Sequence, residues 1–319
     1  MLDLAAIRNA HDRIRPHIHR TPVLTSARLD AASGASLFFK CENFQKVGAF
    51  KARGATNAVF ALDDETARRG VATHSSGNHA AALSRAARLR GIAAHIVMPS
   101  NSPKVKVRAV EGYGGRIVFC EPTQKAREAA CARVIEETGA TLIHPFENEQ
   151  VMAGQGTVMV ELLEDVPDLD LVLCPVGGGG VLCGTAVAAK TLRPQIKVIA
   201  TEPAGAADAA ESFHQGRLIY QEKKDTIADG LRTNLGAVNF ALVQQYVDDV
   251  VTVSEEAIIA AMRKIWETMK IVIEPSAAVP YAAILEERVD FRGKRVGIIL
   301  TGGNVDLEAL PWMNVQSAK

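Results

Sequence analysis

The sequence predicts an α/β fold built on open, mainly parallel sheets. Two observations carry this prediction. Short runs of apolar, often β-branched residues alternate with helical stretches along most of the chain, and three of these runs end in glycine or hydroxyl residues. The alternation is typical of parallel strands joined by helices. Strand ends of this kind are where such folds bind ligands, so the same pattern also indicates a binding site.

The predicted elements follow one another in a regular order. In the first half we expect strands at 94–98, 116–120 and 141–145 and helices at 103–111, 123–138 and from about residue 151. In the second half we expect strands at 171–176, 197–201 and 295–301 and helices at 181–192, 255–270 and 275–289. The polar, turn-rich stretch 205–235 interrupts the alternation, and we interpret it as a surface excursion rather than a linker.

Composition and charge exclude several classes of protein. The 319 residues are 48% hydrophobic, which indicates a globular chain of one large or two medium domains. Lys plus Arg and Asp plus Glu both number 36, so a zero net charge favours neither nucleic acid nor an anionic membrane. No apolar run approaches the roughly 20 residues that a bilayer span needs. The N-terminal residues carry charges throughout and lack the apolar region of a signal peptide.

The cysteines predict reduced thiols in a cytoplasmic protein. They are Cys41, Cys120, Cys131, Cys174 and Cys183, which are odd in number, scattered and mostly inside apolar segments. No pair has the CxxC spacing of a zinc site, and no disulfide framework is indicated. Buried reduced thiols of this kind are typical of cytoplasmic proteins.

A run of four glycines follows one predicted strand and precedes a predicted helix. The segment PVGGGG spans residues 175–180. Consecutive glycines let backbone N–H groups converge on an anion, and the N-terminus of the following helix adds a favourable dipole. The alternative is a flexible turn, but the flanking strand and helix favour a phosphate-binding loop. The spacing matches neither a dinucleotide fingerprint nor a P-loop.

A second polar segment, SSGNHA, occupies residues 75–80 at a predicted strand-to-helix junction. One of its serines is enough to cap the following helix, so capping leaves most of its polar side chains unexplained. Hydroxyl and amide donors suit a carboxylate, and Asn78 suits a phenolate oxygen. We therefore interpret the segment as a ligand-binding one.

Two further segments are ambiguous on their own. Lys51 lies in GAFKARGA at 48–55, a partly apolar setting between glycines. A lysine is usually solvated, although a lysine that forms a Schiff base needs a desolvated setting of this kind. TGGN at 301–304 ends a predicted buried strand, and a tight turn explains it as well as a ligand site does. Neither segment identifies a function by itself.

Taken in order, eight segments resemble the fold-type II family of pyridoxal 5′-phosphate (PLP) enzymes, the tryptophan synthase β-like group. Within that group the chain is similar to the branch of serine racemases, serine/threonine dehydratases and 3-hydroxyaspartate dehydratases. The segments are TPVLTS (21–26), KCENFQKVGAFKARGA (40–55), HSSGNHA (74–80), AGQGT (153–157), PVGGGG (175–180), TIADG (226–230), IEPSAA (273–278) and TGGNVD (301–306). Each alone is weak, but eight in this order are specific and span nearly the whole chain.

The resemblance implies a cofactor site. Lys51 would hold PLP as a Schiff base and remove the Cα proton of the substrate, and Phe50 would back the pyridine ring. Asn78 would bond the phenolic oxygen of the cofactor. Thr301 would face the ring nitrogen, where relatives usually have serine or cysteine. The phosphate would be bound by the backbone N–H groups of Gly177, Gly178, Gly179 and Gly180.

The resemblance also implies a substrate site. Its residues would be Ser75, Ser76, Asn78, His79, Arg127 and Thr233. Ser76 would act as a second acid/base on the face opposite Lys51. Dehydratases that do not racemise typically have alanine there, whereas the racemase and 3-hydroxyaspartate dehydratase branch has serine. The residue type therefore moves the prediction toward that branch.

A divalent-cation site is implied as well. Glu202, the carbonyl of Ala206 and Asp208 lie in TEPAGAAD with the spacing of the family's metal ligands. Two carboxylates, a carbonyl and waters suit Mg²⁺, Ca²⁺ or Mn²⁺. Without the resemblance, a solvated acidic loop explains these residues. With it, we expect a structural or activating ion rather than a catalytic one.

The implied enzyme has two open twisted-sheet domains with PLP in the cleft between them. The large PLP-binding domain would be 1–69 plus 148–319, and the small domain 70–147 would be inserted in it. We expect a cytoplasmic homodimer that binds a small amino acid and neither nucleic acid nor membrane.

The implied reaction is the conversion of a 3-hydroxy amino acid (L-serine, L-threonine or 3-hydroxyaspartate) to a 2-oxo acid and ammonia. Racemisation shares the same carbanion, so an amino-acid racemase is one alternative. A cysteine synthase-like β-replacement enzyme is another. A non-catalytic α/β binding protein is the alternative from a different class, and it would not carry lysine-bound PLP.

Overall fold

A computed structural model describes residues 2–75, 77–102 and 104–313. They form two sheets flanked by helices, so the predicted α/β class is confirmed. The helices are α1 (Leu4–Ile14), α2 (Ala27–Ser33), α3 (Lys51–Ala61), α4 (Asp64–Arg68), α5 (Asn78–Arg90), α6 (Lys104–Gly112), α7 (Gln124–Thr138), α8 (Glu149–Asp165), α9 (Gly180–Leu192), α10 (Asp208–Gln215), α11 (Ala237–Tyr246), α12 (Glu255–Met269) and α13 (Pro275–Leu285). The strands are β1 (Val23–Leu24), β2 (Ser36–Cys41), β3 (Val71–His74), β4 (Ala94–Pro99), β5 (Arg116–Cys120), β6 (Thr141–Leu142), β7 (Leu171–Pro175), β8 (Lys197–Pro203), β9 (Asp249–Val253) and β10 (Arg295–Leu300).

The larger sheet brings three of the predicted segments to one edge. Its order is β1-β2-β10-β7-β8-β9, and every neighbouring pair except β1–β2 is parallel. Leu300 of β10 lies opposite Cys41 of β2, so the two strands end together. Lys51 comes after β2, the glycine run follows β7 and Thr301 follows β10. They therefore converge at the carboxyl edge, where parallel sheets bind ligands.

The smaller sheet positions the second polar segment. Its order is β5-β4-β3-β6, and all three neighbouring pairs are parallel. Ser75 comes directly after the interior strand β3, and α5 begins at Asn78. The SSGNHA segment thus lies at the carboxyl edge of this sheet. The strands fall between residues 71 and 142, and the domain limits 70–147 stay a prediction.

A buried ion network fixes the helix that carries Lys51. Arg53 lies two residues further along α3, is fully buried, and donates to Glu42 (2.8 Å from Nε) and Glu161 (2.7 Å from Nη2). Lys40 donates to the same Glu161 oxygen at 2.7 Å. Burial raises the pKa of Glu161, but Arg53 and Lys40 outweigh burial and lower this pKa to about 2. The carboxylate stays charged, and the network ties α3 to α8 and to the end of β2.

Helices α3 and α8 approach at a pair of glycines. A Cβ atom on Gly154 would lie 2.6 Å from the Cα of Gly54, which no side chain tolerates. The backbone N–H of Gly54 also donates to Gln155 at 3.1 Å. The close approach explains glycine in both RGA and AGQGT, two of the segments that carry the family resemblance.

The stretch 205–235 differs from the predicted surface excursion. Helix α10 lies inside it, and Ala206, Asp208 and Leu235 are buried. The sequence pattern hides this helix because it is only eight residues long and largely polar. Apart from this stretch, the predicted elements are found with shifted ends. Helix α13, for example, ends at Leu285 rather than at 289, and Glu287 adopts a positive φ of 53°.

All five cysteines are free thiols, and four of them are buried, as expected. In the part of the chain that the structure describes, no helix is both long and apolar enough to cross a membrane.

Candidate active site

Lys51 begins α3 and points toward the segment that precedes α8. Its Nζ donates to the carbonyl oxygen of Pro145 at 2.9 Å and lies 5.1 Å from the centre of the Phe50 ring. Burial lowers the pKa of Lys51 to about 8, while the negative charge of Glu274 partly opposes this shift. A larger fraction of the amine is therefore neutral near pH 7 than for an ordinary lysine, and a neutral amine can form a Schiff base.

The loop before Lys51 is tied to the TGGN segment after β10. The backbone N–H of Phe50 donates to the carbonyl of Thr301 at 3.0 Å, and the side chain of Asn304 donates to the carbonyl of Val47 at 2.7 Å. The backbone N–H of Gly303 donates to the carbonyl oxygen of Gly48 at 2.9 Å. Two segments that are more than 200 residues apart in the chain therefore form one wall of the site.

The glycine run follows β7, the strand next to β10, at the same edge of the sheet. It connects β7 to α9, and Gly179 adopts a φ of +93°, which favours glycine. A Cβ atom on Gly178 would lie 2.3 Å from the ring of Phe146, and the Gly178 carbonyl accepts from Asn239 Nδ2 at 2.5 Å. Among the described residues, no partner accepts a hydrogen bond from the backbone N–H groups of this run. These donors and the N-terminus of α9 suit a phosphate.

Asn78 links the two sheets by hydrogen bonds to the side chains of Glu274 and Asn304, which the sequence analysis did not predict as site residues. Its Nδ2 donates to both oxygens of Glu274, at 3.0 and 3.1 Å, and its Oδ1 accepts from Asn304 at 3.0 Å. Glu274 is buried; burial, and then the charge of Asp229, raise its pKa to about 7. Glu274 and Asn304 lie in the IEPSAA and TGGNVD segments, which the sequence analysis did identify. Neither segment indicated a contact with Asn78.

His79 is buried one residue further into α5. Its Nε2 lies 3.0 Å from the carbonyl oxygen of Ile143, and since a carbonyl only accepts, Nε2 carries the proton. Burial and the charge of Lys51 lower the pKa of His79 to about 3, so the ring is neutral. Ser75 precedes this turn, and the backbone N–H of Gly77 donates to its hydroxyl at 3.4 Å. Ser76 lies outside the described residues.

An aromatic row that the sequence analysis did not predict runs from the smaller sheet to the glycine run. The ring centres of His74 and His144 are 5.6 Å apart, and those of His144 and Phe146 are 4.6 Å apart. Burial and the neighbouring His74 lower the pKa of His144 to about 4. Nothing in the local sequence around residue 144 indicates that His144 packs between His74 and Phe146.

Thr233 and Arg127, the predicted substrate contacts, lie at different places in the structure. Thr233 Oγ1 is 3.0 Å from the position that a Cβ atom would take on Gly177, so it lies beside the glycine run. Arg127 lies on α7 near His74. Burial lowers the pKa of His74, the charge of Glu128 opposes this shift, and the charge of Arg127 adds to it. The half-buried Arg127 has a buried Nε with no hydrogen-bond partner among the described residues.

The predicted cation ligands lie together but already have partners. Both oxygens of Glu202 accept backbone N–H groups, from Ala209 at 3.1 Å and Ala210 at 2.9 Å. Asp208 accepts the N–H of Leu235 at 2.7 Å and forms an ion pair with Lys224. Burial and the charge of Asp208 raise the pKa of Glu202 well above its usual value. As they are placed, these residues do not fit a divalent cation, and among the described residues no cluster of three His, Cys, Asp or Glu side chains suits one.

The chain is similar to known proteins over nearly its whole length. The chain is 50% identical over 324 residues to a serine racemase from Arabidopsis thaliana, covering 99% of this chain and 97% of that protein. It is 52% identical over 303 residues to a β-hydroxyaspartate dehydratase from Paracoccus denitrificans, covering 95% and 96%. The structure of maize serine racemase matches with a TM-score of 0.95 at 50% identity, covering 98% of this chain and 96% of that one.

The model of the pyridoxal-phosphate dependent enzyme family matches residues 14–302. That range contains Lys51, the SSGNHA segment, the glycine run and Thr301. The chain therefore belongs to the family of pyridoxal-phosphate dependent enzymes.

Proposed function

We propose that this protein is a PLP-dependent ammonia-lyase that converts a 3-hydroxy amino acid to a 2-oxo acid and ammonia. The substrate is L-serine, L-threonine or 3-hydroxyaspartate. The observation that carries the proposal is the position of Lys51, whose pKa is lowered by burial, at the strand edge shared with the glycine run and Thr301. The likeness to a serine racemase and to a β-hydroxyaspartate dehydratase supports the substrate class.

The donor set fits PLP. The unpaired N–H groups of the glycine run and the N-terminus of α9 would hold its phosphate, and Phe50 would pack on its ring. Asn78 would donate to its phenolic oxygen once its amide turns away from Glu274, to which it donates in the present structure. The Thr301 hydroxyl would face the ring nitrogen, and a neutral partner leaves that nitrogen without a proton. When bound, PLP supplies an electron sink that stabilises negative charge at Cα.

The chain's own residues place and move the protons. The neutral amine of Lys51 takes the Cα proton, and its lowered pKa keeps it available as a base near pH 7. Ser75, the N–H groups at the start of α5 and the side chain of Asn78 would hold the substrate carboxylate. The imidazole of His79 donates to Ile143, so His79 would contribute through its backbone.

Ser76 is proposed as the second acid/base, on the sequence alone. A proton delivered by this serine would give the D-amino acid, so a racemase is the alternative main activity. The Arabidopsis relative is a serine racemase, which favours keeping this alternative. A cysteine synthase-like β-replacement enzyme is a weaker alternative because it would need a second substrate.

The remaining proposals concern closure and assembly. Residues 70–147 would close on the substrate as a small domain, over the large domain formed by 1–69 and 148–319. Lys106 of α6 forms an ion pair with Asp229 and so joins the two proposed domains, and Arg127 and Thr233 would contact the substrate in the closed form. We also propose a cytoplasmic homodimer. The family resemblance implies Mg²⁺, Ca²⁺ or Mn²⁺ at Glu202, Ala206 and Asp208, but their present partners favour the arrangement argued in the next subsection.

The test is the release of 2-oxo acid from L-serine, L-threonine and the 3-hydroxyaspartate isomers by the purified protein with PLP. Chiral analysis of the remaining amino acid measures racemisation in the same samples. We expect oxo acid from at least one substrate and a visible absorbance band from lysine-bound PLP. A colourless protein that stays inactive with added PLP would contradict the proposal. Product formation only with a thiol co-substrate would favour β-replacement.

A further inference from the structure

Lys224 reaches a buried pair of carboxylates below the glycine run. Glu202 is the last residue but one of strand β8, Asp208 begins α10, and both are buried. The ammonium of Lys224 pairs with Oδ1 of Asp208, and the two side chains are only 6% and 0% exposed. A lysine ammonium is rarely buried unless a carboxylate compensates its charge, so this pairing is a specific feature of the site.

The other carboxylate oxygens are also satisfied without a metal. Asp208 Oδ2 accepts the backbone N–H of Leu235, and the two oxygens of Glu202 accept the first free N–H groups of α10. Mg²⁺ and Ca²⁺ need about six to eight oxygen ligands at roughly 2.0 to 2.6 Å. An ion that close to Asp208 Oδ1 would overlap and repel the ammonium that contacts the same atom.

The backbone around Lys224 is fixed independently of the ion pair. A Cβ atom on Gly205 would lie 1.8 Å from the carbonyl oxygen of Asp225, so the two segments touch at a point that admits only glycine. The N–H of Asp225 donates to the carbonyl of Gly205 at 2.9 Å. The contact between Gly205 and Asp225 therefore fixes the backbone next to Lys224 and positions its side chain at the carboxylate pair.

The same residues lead to the phosphate-binding side of the glycine run. Asp208 holds the N–H of Leu235, and the N–H of the next residue, Gly236, donates to the carbonyl of Gly178 at 3.2 Å. The side chain of Leu235 also packs against Gly179. A Cβ atom on Gly179 would lie 2.8 Å from Leu235 Cδ1. Loss of the ion pair at Asp208 can thus affect how well the glycine run binds an anion.

We propose that the ammonium of Lys224 takes the place of the divalent cation that the family resemblance implies. The protein then neither binds nor needs a divalent cation at Glu202 and Asp208, and Lys224 holds segment 224–236 under the glycine run. This inference concerns the fold and the cofactor loop of the proposed enzyme, and its readouts do not require the reaction to proceed.

The first test uses the wild-type holoenzyme. Its melting temperature is measured after treatment with EDTA and then with millimolar Mg²⁺, Ca²⁺ or Mn²⁺, and bound Mn²⁺ is measured by equilibrium dialysis. We expect the melting temperature to be the same in all samples and no Mn²⁺ to be retained. A melting temperature that falls in EDTA and recovers with a cation, or stoichiometric retention of Mn²⁺, would overturn the proposal.

The second test removes the ammonium. Lys224→Ala leaves two buried carboxylates and a vacated space, so we expect a melting temperature lower by several degrees, weaker PLP binding, and recovery of both with Mn²⁺. Lys224→Met fills the space without charge and should lose stability without recovery. Lys223→Ala, at the exposed neighbouring lysine, is the matched control and should behave as wild type. If Lys224→Ala is as stable as Lys223→Ala, the proposal is wrong; if it does not fold, the wild-type metal data decide alone.

Discussion

The amide of Asn78 donates to both carboxylate oxygens of Glu274, at 3.0 and 3.1 Å. This contact joins the start of α5, at the edge of the smaller sheet, to the start of α13 beside the larger one. The bonds from Asn78 lower the pKa of Glu274, yet burial and the charge of Asp229 raise it to about 7. A carboxyl group that titrates near neutrality therefore lies between the two sheets, within electrostatic reach of Lys51.

Glu274→Gln should make stability less dependent on pH. Folding raises the pKa of this carboxyl from 4.5 to about 7, so the folded state holds the proton more tightly and stability falls as pH rises through that range. The loss amounts to about 3 kcal/mol at most in the wild type. Glutamine cannot titrate, so the free energy of unfolding of the variant, from urea denaturation of the apo protein, should lack this fall. Glu136→Gln, at an exposed position of α7, should keep it. Equal slopes in the two variants would contradict the assignment.

The capture of PLP by the apo protein should depend on pH with a midpoint near 8. Only the neutral amine of Lys51 forms a Schiff base, and burial lowers the pKa of Lys51 to about 8. The rate should therefore rise with pH through that value, well below the range of a solvated lysine. Because the charge of Glu274 raises the pKa of Lys51, Glu274→Gln should move the midpoint to lower pH. The measurement is the growth of the visible band after mixing, and a midpoint above about 10 would be that of an ordinary lysine.

Lys51→Ala should lower kcat/KM for oxo-acid release by at least about a thousand-fold, since both the cofactor link and the base are lost. The visible band should disappear, and borohydride treatment of the wild type should attach PLP to the peptide that contains Lys51. Lys197→Ala, at an exposed lysine, is the control and should keep activity and colour. An active Lys51→Ala variant, or label on another lysine, would show that the base has been misassigned.

Gly178→Ala should weaken PLP binding. The added Cβ atom would lie 2.3 Å from the Phe146 ring, so the glycine run or the ring must move. Overpacking of this kind costs about 1–3 kcal/mol, and if this cost falls on the cofactor-bound state, the Kd for PLP should rise roughly five- to 150-fold. Phe146→Ala in the same chain should restore part of the affinity. Gly112→Ala is the control because a Cβ atom there meets nothing within 4 Å. If Gly178→Ala binds PLP as tightly as wild type, the glycine run can move away from Phe146 without loss of affinity, and the prediction is wrong.

The alternation of strands and helices was enough to predict the fold class, and the family resemblance of the ordered motifs predicted Lys51, Asn78 and Thr301 as site residues. Each follows a strand of a parallel sheet, and the topology of such sheets brings strand ends together. Glu274, Asn304 and His144 were not predicted individually because they lie in turns whose local patterns have no period. Lys224 was missed for a related reason: it is one of two adjacent lysines in a polar stretch, and only its ion pair with Asp208 in the structure shows which of them is buried.

The buried network behind Lys51 gives the last prediction. Arg53→Ala leaves the carboxylates of Glu42 and Glu161 buried without the guanidinium that neutralises them, so it should lower the free energy of unfolding by about 3–5 kcal/mol. Arg53→Lys keeps the charge but loses the forked geometry, so its loss should be smaller. Arg263→Ala removes an exposed partner of Glu267 and should barely change stability. Urea denaturation measures all three. Since Arg53 anchors α3 close to Lys51, Arg53→Ala should also weaken PLP binding, and a variant as stable and as well loaded as Arg263→Ala would show that packing alone fixes α3.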